Sequence, residues 1–107
     1  MLLTTQDNFS EYKIVETLGI VRGNTVRARH VGKDMLASFR NIVGGEIEEY
    51  TKLLAESREQ SIDRMILAAK MMGADGIACI RFTTSSIMQA AAEMFVYGTA
   101  VKLKKKK

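Results

Sequence analysis

The segment IEEYTKLLAESREQSIDRMILAAKMM, residues 47–72, runs for 26 residues without a glycine or a proline. It lies between Gly44-Gly45 and Gly73, and an uninterrupted segment of this length predicts one long amphipathic helix. Its first turn is acidic, and carboxylates there favour the positive end of the helix dipole. Gly73 suits a left-handed residue after the last helical turn. At ~1.5 Å per residue the helix is about 40 Å long, which exceeds the diameter of a small domain.

Strand patterns lie on both sides of this helix. Apolar and β-branched residues predict strands over residues 12–21, 77–84 and 94–103. Gly19 interrupts the first strand, where a bulge or a close backbone approach is the usual cause. The order of elements predicts an α+β subunit in which the helix lies on a sheet.

Shorter segments connect these elements. Gly23-Asn24 predicts a turn, followed by a short extended piece over residues 25–31. Residues 33–43 have the apolar spacing of a short helix, and residues 83–86 resemble a turn. Residues 87–92 favour a helix by local propensity and a strand by their hairpin context, so both interpretations stay open.

The long helix carries apolar side chains on two sides. At about 100° per residue, one stripe faces the core and a second patch lies nearly opposite. The stripe contains Ile47, Tyr50, Leu54, Met65, Ala68, Ala69 and Met72, and the patch contains Leu53, Leu67 and Met71. The last predicted strand is likewise apolar on both faces, a pattern typical of strands that are covered on both faces.

One helix covers only one side of a three-stranded sheet. Burial of apolar surface contributes ~25 cal/mol per Å² to the free energy of folding. If the second face of the sheet stayed exposed to water, several kcal/mol would be lost, which is comparable with the whole stability of a small domain. We therefore predict that another copy of the chain supplies the second layer, so that the protein is a homo-oligomer.

The length and charge of the chain indicate its domain organisation and limit its possible partners. The 107 residues fit one domain, predicted over residues 1–103, with a flexible lysine tail at residues 104–107. The net charge is +4, but without residues 104–107 there are 12 basic and 12 acidic residues, so the body is balanced. A nucleic-acid binder normally carries its charge on a structured face, which argues against a nucleic-acid partner.

The amino terminus and the cysteine content point to the cytoplasm. A single cysteine excludes an intrachain disulfide and indicates a reducing compartment. No ordinary signal peptide is recognisable, and no apolar run approaches the ~18 residues of a membrane-spanning helix. We expect a cytoplasmic protein with no membrane partner.

Several short motifs together resemble a known family. They are Arg40-Asn41-Ile42-Val43-Gly44-Gly45, Tyr50 six residues after Gly44, Arg58, Ala69, Gly73-Ala74-Asp75-Gly76-Ile77 and Gly98-Thr99-Ala100-Val101. Their combined spacing, over nearly the whole chain, is similar to that of the YbjQ-like family. The resemblance implies a β-α-β-β two-layer subunit like that of dodecin, with one long helix on an antiparallel sheet. It also implies a ring-shaped homopentamer and carries a label of heavy-metal binding, but it brings no agreed catalytic residues.

The residues of this chain give little support to heavy-metal binding. A closed soft-metal site needs about four thiolate or imidazole ligands, and this chain has one histidine, His30, and one cysteine, Cys79, in different segments. Buried free cysteine is common, so Cys79 is better interpreted as a packed strand residue, and most of the seven methionines fall on apolar faces. No metal ligands and no cofactor are predicted.

Arg58 is the most informative single candidate. It falls inside the apolar stripe, where a buried guanidinium needs a carboxylate or several carbonyls. The commoner use is a structural ion pair with Glu16, Glu93 or Asp75. The functional alternative is a pocket for a small anionic ligand between subunits, with Arg58 and Tyr50 as candidate ligand-binding residues.

Enzymatic function has little support, because one histidine and no recognisable acid pair leave no catalytic frame. The sequence therefore predicts a non-enzymatic homo-oligomer, pentameric by resemblance, that binds or assembles. A heavy-metal-binding protein is the alternative, and the identity of any small ligand stays open.

Overall fold

The computed structural model describes residues 1–28, 48–88 and 91–107. Four strands and one long helix make up this part of the chain. They are β1 (Leu2–Leu3), β2 (Tyr12–Ala28), α1 (Glu48–Met71), β3 (Gly76–Met88) and β4 (Ala91–Lys105). The strands form one sheet in the order β1-β3-β4-β2, and α1 packs mainly over β2 and β4. The predicted α+β class and the β-α-β-β order of the main elements are confirmed.

The three predicted strands pair antiparallel as expected, but a fourth strand, β1, makes the sheet mixed. The β2–β4 and β3–β4 pairs are antiparallel, whereas β1 runs parallel to β3 through Leu2↔Gly76 and Leu3↔Ile77. The parallel pair forms because the amino-terminal segment lies along the outer edge of β3. The amide of Thr4 continues this pairing with a 3.0 Å hydrogen bond to the carbonyl of Ile77.

Two predicted turns are strand in the structure. Gly23-Asn24 lies inside the 17-residue strand β2, and residues 83–86 lie inside β3. Gly23 is there because α1 crosses the sheet at this point. A Cβ atom on Gly23 would lie 2.7 Å from the amide nitrogen of Met65 and closer still to the carbonyl oxygen of Ser61. The glycine therefore reports a close helix–strand contact rather than a turn. The predicted short helix at residues 33–43 lies outside the described residues.

The main core lies between α1 and the sheet. It contains Val21, Met65, Ala69, Ile77, Ile80, Val96 and Ala100. The predicted helix stripe is confirmed at Met65 and Ala69, which are fully buried, but Met72 is 41% exposed. Ser61 and Ser57 take the buried positions one and two turns before Met65, respectively. Small side chains fit there because the helix backbone approaches Gly23 so closely.

A second apolar cluster lies on the opposite face of the sheet. Phe9 packs there against Ala78 and Val101, with Tyr12, Ile14, Cys79 and Leu103 partly buried around it. The segment before β2 thus covers one end of the face that the sequence left without a layer within the subunit. At this end of the sheet the chain itself supplies the second layer. Over the rest of this face, the prediction that another copy supplies it stays a prediction.

Both predicted glycine signals at element ends are confirmed. Gly73 has a φ of +80° and follows α1; its amide donates to the Lys70 carbonyl, and the amide of Ala74 donates to the Ala69 carbonyl, both at 3.0 Å. This pair of bonds is a Schellman cap. Gly19 has a φ of +136° and lies at a register shift between β2 and β4, as expected for a bulge.

The carboxyl-terminal lysines begin inside the sheet. β4 runs to Lys105, with Lys104 opposite Lys13 and Lys105 opposite Tyr12. Lys104 and Lys105 are therefore strand residues, two positions beyond the domain boundary predicted from the sequence. Among the described residues no helix is long and apolar enough to cross a membrane.

Candidate functional site

The two predicted ligand-binding residues, Arg58 and Tyr50, both belong to α1. Arg58 lies on α1 and is exposed in the single chain, so the predicted burial of its guanidinium is wrong at this level. Its neighbour Ser57 faces the sheet instead, and one helical step of about 100° turns Arg58 away. Tyr50 belongs to α1, but its side chain lies outside the described part. Eight residues separate the two positions, which corresponds to roughly 12 Å along the helix axis.

Two of the carboxylates predicted to pair with Arg58 have other contacts. Asp75 accepts a 2.9 Å hydrogen bond from the amide of Leu103, and Glu93 accepts a long 3.5 Å bond from the side-chain amide of Asn24. Asp75 therefore helps to fix β4 next to the end of α1. A ligand-binding role for Arg58 and Tyr50 stays a prediction.

A buried hydroxyl cluster joins α1 to β2 and β4. Ser61 Oγ lies 2.9 Å from Thr25 Oγ1, 2.9 Å from the carbonyl oxygen of Ser57 and 3.1 Å from that of Met94. Ser57, Ser61 and Thr25 are each at most 3% exposed. Every buried side-chain polar atom in the described part has a hydrogen-bond partner, so the cluster fixes the helix position and presents no free group for chemistry. The sequence signal for it was the Ser57–Ser61 spacing of four residues, which the apolar-stripe argument passed over.

The flank of α1 next to β2 carries the first exposed apolar surface, which we term the β2–α1 surface: Ile20, Leu67, Met71 and Met72. Their side chains are 77%, 61%, 83% and 41% exposed. A hollow of about 570 Å³ lies between β2 and the carboxyl-terminal half of α1, lined by Ile20, Met71 and Met72 together with Val21, Arg22 and Ala68. The patch predicted at Leu53, Leu67 and Met71 is thus confirmed as exposed at Leu67 and Met71, whereas the side chain of Leu53 lies outside the described part. The contribution of Ile20 was missed. The bulge at Gly19 changes the alternation, so that Val21 rather than Ile20 follows Leu18 toward the core.

The opposite flank of α1 carries a second apolar surface, which we term the β1–α1 groove. It has a volume of about 230 Å³ and is lined by Leu3, Thr4, Thr5, Ile62, Met65, Ile80 and Phe82. Phe82 and Leu3 are 44% and 42% exposed. The groove exists because α1 lies over β2 and β4 and leaves β3 less covered. One subunit therefore presents apolar surface at both sides of its helix.

β2 is the outermost strand of the described sheet. Its 17 residues pair with β4 on one side, and the order of strands places no described strand on the other. Such an edge presents a row of backbone donors and acceptors that suits pairing with another chain. This open edge borders the β2–α1 surface.

The described residues do not fit a metal site. Residues 1–28, 48–88 and 91–107 contain no group of three His, Cys, Asp or Glu side chains placed to hold an ion. Cys79 is half-buried, with a φ of +57°, and its amide donates a 2.9 Å hydrogen bond to the carbonyl of Gln6. This backbone contact, with the register shift after Ala78, accounts for Cys79 as part of a β-bulge beside the amino-terminal segment. His30 lies outside the described residues.

Comparisons with known proteins agree over the full length of the chain. A family model named YbjQ_1, with the description "Putative heavy-metal-binding", matches residues 1–104. A UPF0145 protein of Methanococcus vannielii is 55% identical over 105 residues, covering 98% of this chain and all of that protein. A UPF0145 protein of Archaeoglobus fulgidus is 53% identical over 104 residues, covering 97% of this chain and 96% of that one.

A solved structure shares the fold. It is a protein of unknown function from the DUF74 family of Pediococcus pentosaceus, with a TM-score of 0.65 and 16% sequence identity. The similarity covers 97% of this chain and 98% of that one. At this identity it shows the fold alone.

Proposed function

The chain belongs to the YbjQ-like (UPF0145) family, and we propose that it is a non-enzymatic homo-oligomer whose function is binding or assembly. The observation that carries this proposal is the β2–α1 surface, where Ile20 is 77% and Met71 83% exposed beside an open strand edge. The occupant of this surface is a second copy of the chain. A pentameric ring is the assembly that the family resemblance implies.

The free energy available at this surface supports association. Complete burial of an Ile, Leu or Met side chain is worth ~1.5–3 kcal/mol. Ile20, Leu67 and Met71 are exposed by 77%, 61% and 83%, so burying the three would contribute about 3–6 kcal/mol. Pairing along β2 adds backbone hydrogen bonds to this apolar contribution. Together these contributions offset a large part of the entropy lost when two subunits associate.

The placement of the two apolar surfaces favours a head-to-tail contact. The β2–α1 surface and the β1–α1 groove lie on opposite flanks of the same helix. When the first surface of one subunit meets the second surface of the next, the contact is heterologous and closes into a ring if the rotation allows. Leu67 and Met71 project from one copy, and the concave groove around Phe82 receives them in the next.

A small ligand would bind between subunits in this assembly. Arg58 is exposed on the outer part of α1 in one chain, so its guanidinium is available to an anionic group or a neighbouring subunit. Tyr50 on the same helix is the second candidate. This ligand site depends on the assembly, since one subunit alone does not enclose these positions.

Heavy-metal binding is the second candidate function. It is supported by the description of the matching family model, whereas the described residues of one subunit form no ligand group. A site would therefore need His30 or side chains from several copies.

The test of the assembly surface is a double variant, Leu67→Gln/Met71→Gln, studied by sedimentation velocity over a range of concentrations. We expect the wild type to sediment as an oligomer and the variant to shift toward the single chain. Glu56→Gln/Glu59→Gln is the matched control, because it places two glutamines at exposed positions of the same helix. If both the wild type and the variant are oligomers, the chain assembles as proposed, but the β2–α1 surface is not the contact between copies. A wild type that is a single chain at micromolar concentration overturns the proposed function.

A further inference from the structure

The sheet ends in a lysine cluster that consists of Lys13, Lys102 and Lys104. Lys13 and Lys104 are direct cross-strand partners in the β2–β4 pair. Lys102 lies two residues before Lys104, so the three side chains lie on one face of the sheet. Lys13 and Lys104 are exposed, and Lys102 is half-buried. Glu16 is opposite Lys102, and the Asp75 carboxylate lies 2.9 Å from the amide of Leu103, so the three cations lie beside two carboxylates.

The backbone around the cluster is held in place. The amide of Lys106 donates a 2.9 Å hydrogen bond to the carbonyl of Glu11, and the amide of Leu103 donates to the carboxylate of Asp75 at 2.9 Å. Lys102 Nζ lies 3.8 Å from the position that a Cβ on Gly73 would occupy, beside the end of α1. The positive charge therefore belongs to a structured strand face. From the sequence, only Lys104 of this cluster was assigned to a flexible tail, and Lys13 and Lys102 were counted in the charge-balanced body.

The Lys13–Lys104 pair costs stability in the free protein. Cross-strand partners have Cβ atoms about 4.5–5.5 Å apart, and like charges directly opposite each other are destabilising. Lys102 adds a third charge about 6.7 Å along β4 from Lys104, at two residues of strand rise. A bound polyanion would relieve this repulsion, whereas it would gain nothing from the outer side of α1, where Glu56, Glu59 and Asp63 line a shallow hollow.

We infer that the lysine cluster binds the phosphate backbone of duplex nucleic acid without sequence preference. Lysine binds phosphate as a point charge and does not read bases in the bidentate manner of arginine. A duplex is the preferred polyanion because it carries one charge per ~1.7 Å and releases condensed counterions when lysines neutralise its phosphates. The inference depends on one subunit and does not require the proposed oligomer.

The experiment measures fluorescence anisotropy of a labelled duplex of about 20 base pairs as salt is raised from about 50 to about 200 mM. Two to three phosphate contacts per subunit give a slope of about −1.8 to −2.7 in log K against log salt, or a Kd that rises about 10- to 40-fold over this range. We expect Lys13→Gln/Lys102→Gln/Lys104→Gln to weaken binding at low salt at least about tenfold and to flatten the slope. A second duplex of unrelated sequence should bind equally.

The matched control is Lys52→Gln/Arg64→Gln/Arg81→Gln, which removes three exposed cations elsewhere and should keep the wild-type slope. Removal of the repelling pair should not impair folding; Lys13→Gln/Lys104→Gln serves as the second variant and should lose most of the binding. Equal weakening by the control overturns the inference, since net charge alone would then explain binding. Stronger binding to phosphatidylglycerol vesicles than to DNA at equal phosphate concentration also overturns it, because the partner would then be a membrane surface.

Discussion

Substitution of Gly23 by alanine tests the packing on which the fold depends. The new Cβ atom would lie 2.7 Å from the amide nitrogen of Met65 and closer still to the carbonyl oxygen of Ser61. Ordinary contacts of carbon atoms lie near 3.5 Å, so α1 must move away from β2 by at least about 0.8 Å. Both obstructing atoms belong to the helix backbone, so no side-chain rotation relieves the clash. The helix as a whole, or the strand, has to shift.

The cost follows from what that shift separates. Moving α1 by this distance breaks the 2.9 Å contact between Ser61 Oγ and Thr25 Oγ1, which is worth about 1 kcal/mol. Overpacking in a well-packed core costs a further ~1–3 kcal/mol. We therefore expect Gly23→Ala to lower the free energy of unfolding by about 3 kcal/mol, as the sum of these two contributions.

Urea denaturation followed by circular dichroism measures this change. All variants should be compared at one protein concentration, because association alters apparent stability. Gly73→Ala is the control: its φ is +80°, but the nearest atom to the new Cβ is 3.8 Å away. It should cost only about 1 kcal/mol, for the left-handed backbone. The reasoning is refuted if Gly23→Ala destabilises no more than Gly73→Ala.

Three further predictions concern two buried residues and the possible metal ligands Cys79 and His30. Ser61→Ala should lower the free energy of unfolding by about 1–2 kcal/mol, because buried acceptors lose their hydrogen-bond donor. An unchanged urea midpoint would show that the hydroxyl cluster does not contribute to stability. Phe9→Ala should cost about 3–5 kcal/mol, since Phe9 is 8% exposed and packs on the second face of the sheet; a loss below about 1 kcal/mol would mean that this segment does not cover the sheet. Titration with Zn(II) and Cu(I) should show no stoichiometric site that depends on Cys79 or His30, and one ion per chain lost in Cys79→Ser would establish the metal-binding alternative.

The sequence predicted the elements whose signals are local. The helix was placed within one residue at each end, because an unbroken run of helix formers ends at Gly73, and the structure gives Glu48–Met71. Gly73 and Gly19 were both interpreted correctly, since a left-handed cap and a bulge are short-range features. The family and its α+β fold also followed from the residue pattern.

The errors came from long-range contacts. Gly23-Asn24 has the composition of a turn, and only the approach of α1 from more than 30 residues away explains why a glycine lies in mid-strand. The buried serines were missed for the same reason. Ser61 forms hydrogen bonds with β2 and β4, and the apolar periodicity of the helix does not reveal such contacts. The parallel strand β1 and the placement of Phe9 depend on where the amino-terminal segment docks, which a two-residue strand does not reveal.

The candidate site was harder to predict than the fold. Arg58 was assigned to the core because its angle falls near the apolar stripe, but the true buried stripe is shifted toward Ser57 and Ser61. A shift of one residue rotates a helix by about 100°, enough to exchange a buried for an exposed position. The exposed patch at Leu67 and Met71 was predicted correctly, since two apolar sides on one helix are visible in the pattern itself.

Native mass spectrometry of the wild-type protein shows whether the chain assembles. Each chain has a mass of 11.9 kDa, and we expect a dominant species at an integral multiple of this mass, five for the ring that the family resemblance implies. The multiple should fall to one in Leu67→Gln/Met71→Gln. A wild-type spectrum that contains only the 11.9 kDa species would contradict the account.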